Sequence, residues 1–93
     1  SPAITRLMEQ LRKLHTDVNS LTVVGAAAEN ARDLTASALL ETIQALGTLA
    51  ESYAAPDQQS ATKLLAESVG LLKAANATSA KAGKALNIPW PLQ

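Results

Sequence analysis

The chain of 93 residues contains no cysteine and no phenylalanine, and aromatic residues make up only 2% of it. The absence of cysteine excludes disulfide bonds and thiolate chemistry. Glycine and proline, which weaken or end helices, are scarce at four residues each. The longest apolar run, residues 21–28, is far shorter than the roughly 20 residues that a membrane-spanning helix needs.

The chain also lacks an excess of either charge. Eight basic and eight acidic side chains cancel, which removes the positive surface expected of a general nucleic-acid-binding protein. Alanine and leucine dominate the 47% of hydrophobic residues, and both are strong helix formers. The length suffices for one small domain. The sequence therefore predicts a single all-α domain that does not bind nucleic acid.

Apolar residues at alternating steps of three and four predict the first helix. The stripe begins at Ile4 and continues through Leu7, Leu11, Leu14, Val18 and Leu21. Pro2 suits the first turn of this helix, where a missing N–H has no cost. Short polar side chains after Thr16 compete for backbone hydrogen bonds and predict an end between residues 17 and 20. Ser20 or Thr22 is the expected cap of the next helix.

A second stripe predicts one long helix over residues 22–54. Its members keep one phase at about 100° per residue, and they are Val24, Ala28, Ala31, Thr35, Leu39, Thr42, Leu46, Leu49 and Tyr53. An alternative breaks this helix between Arg32 and Thr35, where Asp33 is a possible cap. The break would give four helices instead of three.

Pro56 predicts a turn, because proline disfavours helix in the residue before it and tolerates a first helical turn. A third amphipathic pattern predicts a helix over residues 57–86, with lysines near its end. The fold class is thus an antiparallel up-down helical bundle with its domain over residues 1–86. Residues 87–93 form a tail that holds the only tryptophan, and we expect Trp90 and Ile88 to pack back onto the bundle.

The first helix is little more than half as long as the other two. We expect it to lie against the first half of the second helix and the last half of the third, since short connections make neighbours antiparallel. The far ends of the two long helices then carry more apolar surface than they can bury against each other. The sequence predicts a partner-binding groove there, lined by Leu39, Ile43, Leu46, Tyr53, Leu65 and Leu72.

No group of residues predicts catalysis or a metal site, so no cofactor is expected. His15 is the only histidine and lies at the edge of the first stripe. Glu29 and Asp33 are one helical turn apart, but nothing in the pattern supplies further ligands. The expected partner is a helix of another protein or a second copy of this chain. A lipid-binding bundle is the alternative, although interfacial helices favour a basic face with aromatic residues.

Overall fold

In a computed structural model, which describes residues 1–88, the chain folds into three helices. They are α1 (Pro2–Asn19), α2 (Ala26–Ala54) and α3 (Gln58–Ala85). These helices hold 85% of the described residues, and no strand occurs among them. The predicted all-α bundle is confirmed. The alternative with a broken middle helix is wrong, because α2 continues unbroken through Arg32 to Thr35.

The helix ends follow local hydrogen bonding. Pro2 occupies the first turn of α1, which ends at Asn19 as predicted. The predicted caps for α2 at Ser20 or Thr22 are wrong, because α2 begins only after Gly25, which has φ 103° and offers no side chain. The N-cap of α3 is Asp57, whose Oδ1 accepts a hydrogen bond of 2.7 Å from the backbone N–H of Ser60.

The end of α3 is closed by a Schellman motif. Asn87 adopts the left-handed conformation with φ 61°. Its N–H donates to the carbonyl of Lys84, and the N–H of Ile88 donates to the carbonyl of Gly83 at 2.7 Å. This motif turns the chain away from the helix axis. The predicted packing of Trp90 lies outside the described residues.

Helices α2 and α3 pack against each other through small side chains that recur every seven residues. The hydroxyl of Ser68 donates a 2.8 Å hydrogen bond to the carbonyl of Ala45, which shows which residues of the two antiparallel helices lie opposite each other. On α2 the recurring residues are Ala31, Ala38, Ala45 and Ser52, and on α3 they are Ser68, Ala75 and Ala82, all of them buried. A repeat of seven is the signature of a coiled-coil seam, and small residues let the two backbones approach closely.

The interior of the protein is therefore built mostly from alanine. Ile43 is the one larger apolar residue that is buried among residues 1–88. No large side chain in that part of the chain is fully buried, and many leucines are about half exposed. The small-residue seams hold the helices together, and the leucines lie beside these seams.

The predicted position of α1 is wrong. The Cε of Met8 lies 3.5 Å from the place that a Cβ on Gly47 would occupy, so α1 covers the second half of α2. Near the other end of α1, Nη1 of Arg32 donates a 3.2 Å hydrogen bond to the carbonyl of Leu21. No Cα of α1 lies within 8 Å of a Cα of α3. The prediction assumed that α2 starts at residue 22, whereas the non-helical residues 20–25 run alongside the start of α2 and place α1 further along it.

Candidate binding groove

The side of α2 that lies between α1 and α3 is open. A cavity of about 260 Å³ marks one end of this opening, where Val18 and Leu21 approach Leu86 across α2. The same cavity is lined by Val23, Ala28, Ala31, Arg32 and Thr35. This cavity is bounded by α1, α2, residues 20–25 and Leu86, the C-cap of α3, so it shows which side of each helix faces the opening.

The floor of the groove is the leucine stripe of α2. At about 100° per residue, Leu39, Leu46 and Tyr53 lie within about 40° of Thr35, which lines the cavity. Leu39, Leu46 and the neighbouring Leu49 are half-buried, and Tyr53 is 73% exposed. These leucines and Tyr53 thus lie between the face of α2 that packs on α3 and the face that packs on α1.

One wall of the groove belongs to α3. Leu65 and Leu72 lie within about 60° of Leu86 around this helix. Their side chains are 47% and 45% exposed, and Val69, between them, is 44% exposed. Leucines half open to water on one continuous face indicate a surface that another apolar surface can cover.

The opposite wall belongs to α1. Its half-buried residues face α2, and they are Ile4, Met8, Leu11, His15 and Val18. Leu7 and Leu14 lie on the same side of α1 as Val18, which lines the cavity, and both are largely exposed. The groove is therefore bordered by leucines of α1 and α3, which face each other across the stripe of α2.

The structure brings together five of the six predicted partner-binding residues. Leu39, Leu46 and Tyr53 line the floor, and Leu65 and Leu72 form a wall. Ile43 is only 8% exposed and lies on the side of α2 that also carries Gly47, opposite Met8, so it is not on the open surface. The sequence analysis missed Leu7, Leu14 and Val69, although the stripe of α1 contains the first two.

Polar groups lie around the groove and contribute little to its lining. Glu41 accepts a 2.7 Å hydrogen bond from Thr78 on the other side of the α2–α3 pair. A second cavity, of about 400 Å³, lies on that side and is lined by Asn30, Leu34, Lys81, Lys84 and Ala85. Lys81 and Lys84 therefore lie outside the groove, and an apolar helix face is what the groove lining suits.

The described residues form no cluster with catalytic or metal-binding geometry. Glu29 and Asp33 are both exposed, and Asp33 pairs with the neighbouring Arg32 at 2.9 Å. No group of three His, Asp or Glu residues within residues 1–88 could hold a metal ion. In the same part of the chain, no helix is long and apolar enough to cross a membrane.

Comparisons with family models, with curated proteins and with solved structures find no match to this chain.

Proposed function

We propose that this chain is a non-catalytic interaction module that binds an amphipathic helix in the groove between α1 and α3. One observation carries the proposal. Helices α1 and α3 both pack on α2 but have no Cα atoms within 8 Å of each other, and half-exposed leucines line the space between them. A helix is about 10 Å across with its side chains, so a fourth helix would complete a bundle at this place.

The chemistry of the groove favours a helix as the ligand. Apolar side chains at steps of three and four along a groove match the face of an amphipathic helix. Arg32 lines the cavity at the end of the groove but pairs with Asp33, and the chain has no net charge, which does not favour nucleic acid or an anionic membrane surface as the ligand. Covering several half-exposed leucines provides several kcal/mol at about 25 cal/mol per Å².

The test uses a fluorescein-labelled, uncharged peptide of about 18 residues, the length of α1, with leucines at alternating steps of three and four. Fluorescence anisotropy measures its binding to the full chain. We expect the double variant Leu65→Lys/Leu72→Lys to bind at least about tenfold more weakly. The matched control is Leu40→Lys, because Leu40 is 45% exposed like Leu72 but lies about 120° away from Leu46 on α2.

Circular dichroism must show that all variants keep their helical content. Equal peptide binding by the wild type and the groove variant would overturn the proposal. A parallel flotation assay uses vesicles of phosphatidylcholine and phosphatidylserine. If the chain floats with these vesicles through the same leucines and ignores the peptide, the groove serves a lipid surface and the proposal is wrong.

A further inference from the structure

Beside the face that packs on α2, α3 carries a second heptad pattern that begins on its exposed side. Leu65, Val69 and Leu72 begin it, and it continues at alternating steps of four and three through Asn76, Ser79, Gly83 and Leu86. All but Ser79 and Gly83 are exposed, and none is charged. The spacing is that of a helix seam that meets a second helix. Helix α3 therefore both borders the groove and has the form of the helix that the groove accepts.

We propose that the occupant of the groove is α3 of a second copy of this chain, in a symmetric dimer whose two α3 helices run parallel. This inference rests on the proposed function, since it names the helix that the groove binds. The two-fold axis lies along the helices, so each α3 enters the groove of the other copy. Each seam residue then lies near the same residue of the second copy.

The position of α2 on α3 favours the parallel direction. Ser68 faces α2, and Leu65, Val69 and Leu72 at the start of the seam lie about 40–100° around α3 from it, on the side of the groove. A two-fold axis along the helices places the two α2 helices on opposite sides of the α3 pair. An antiparallel pairing places both α2 helices on the same side, where they compete for the same space.

The remaining surface of α3 also suits this arrangement. When α3 lies in the groove of the other copy, one of its faces is directed toward the other copy's α1. That face carries Ala66, Gly70 and Ala77. All three are exposed, and no atom lies within 4 Å of a Cβ built on Gly70. Leu7 and Leu14 of the other copy's α1 can fill the space that these small residues leave.

The available area and the charge agree with self-association. The wall leucines and Val69 each expose slightly less than half of their surface, and Tyr53 exposes 73%. A standard interface buries about 800 Å² on each partner, and the backbone and polar rim supply the remainder. The formal net charge of zero leaves no overall repulsion between two copies.

The absence of native cysteine permits a clean test by single-cysteine crosslinking of the full chain. Val69→Cys places a thiol in the proposed seam, near its own counterpart in the second copy. Glu67→Cys is the matched control, because Glu67 is exposed and lies about 160° away from the seam. We expect oxidation to give disulfide-linked dimers of Val69→Cys at least about tenfold faster than of Glu67→Cys.

The molar mass from sedimentation equilibrium between about 1 µM and 1 mM completes the test. We expect a monomer–dimer equilibrium that Leu65→Lys/Leu72→Lys weakens at least about a hundredfold and Leu40→Lys leaves intact. A chain that stays monomeric throughout overturns the inference. So does a dimer that the groove variant keeps, or one in which Glu67→Cys crosslinks as fast as Val69→Cys. If the chain stays monomeric but still binds the peptide through the groove, only the identification of the occupant as a second copy is wrong. If the chain neither dimerises nor binds the peptide through the groove, the proposed function is wrong as well.

Discussion

Ala45 and Ser68 show how small residues determine the packing of this protein. They are among its most deeply buried side chains, and they meet where α2 and α3 cross closely. A serine in this position keeps its hydroxyl satisfied by donating to a carbonyl of the facing helix. Small volume, more than hydrophobicity, is what these positions require.

Ala45→Leu should destabilise the fold. The added side chain has no space in the seam, and overpacking costs about 1–3 kcal/mol. Urea unfolding followed by circular dichroism measures the change in the free energy of unfolding. Ser37→Leu, at an exposed site on the same helix, is the control and should change stability by less than about 0.5 kcal/mol. Equal stability of Ala45→Leu and the wild type would contradict the close packing of the seam.

Asp57 should make the stability of α3 depend on acid pH. Hydrogen bonds from the backbone N–H and then the side chain of Ser60 lower the pKa of Asp57 below its ordinary value. Because the folded-state pKa is lowered, the stabilising effect is complete above about pH 4 and is lost as pH falls through the folded-state value.

Asn also caps helices well but does not titrate, so Asp57→Asn is the matched variant. The melting temperature of the wild type should fall more steeply between about pH 5 and pH 2 than that of Asp57→Asn. Parallel curves for the two proteins would show that this cap does not contribute to acid sensitivity.

At the scale of the helices, periodicity predicted the number, length and order of the elements. The turn at Pro56 was predicted because proline restricts its neighbours in any context. The place of α1 could not be predicted in this way. It depends on how residues 20–25 run, and that path includes a positive φ at Gly25, which no hydrophobic pattern encodes.

The leucine stripe of α2, with Leu39, Leu46 and Tyr53, was predicted to line a groove because a short first helix was expected to leave the far end of α2 uncovered. In the structure α1 covers that half of α2, and the stripe lies beside it. In the structure, alanines on either side of that stripe make the closest contacts, because small side chains permit them. Ile43 belongs to the side that carries Gly47, whereas Leu46 faces the groove, and distinguishing them requires knowing on which side of α2 each neighbouring helix lies.

Two glycine substitutions should change stability in opposite directions. Gly25→Ala forces an L side chain to adopt φ 103°, which costs about 1–2 kcal/mol although no atom obstructs the new Cβ. Gly70 lies within α3 with open space around it, so Gly70→Ala should add about 0.5–1 kcal/mol of stability. Thermal unfolding at low protein concentration compares them. A stabilising Gly25→Ala would contradict the described path of residues 20–25.

At the scale of the whole molecule, the chain is long and exposes much surface. It extends 49 × 22 × 21 Å. Many leucines are about half exposed, and no large side chain among residues 1–88 is fully buried. Both features are expected when three helices occupy only part of a bundle.

The proposed dimer makes the melting temperature depend on concentration. Association stabilises the folded state by mass action, so the melting temperature of the wild type should rise by several degrees between about 5 µM and 500 µM. The variant Leu65→Lys/Leu72→Lys should melt at one temperature throughout this range. Differential scanning calorimetry measures both. A concentration-independent wild type would contradict association through the folded state.

The repeat of small residues between α2 and α3 has one further consequence. Moving α3 by seven residues, about 10.5 Å, would again place alanine opposite alanine, so the seam alone accepts more than one alignment. The three-residue turn from Ala55 to Asp57 is too short to permit such sliding. Lengthening it with flexible residues would release the hairpin into several alignments of similar free energy, so the turn is the element that makes the fold unique.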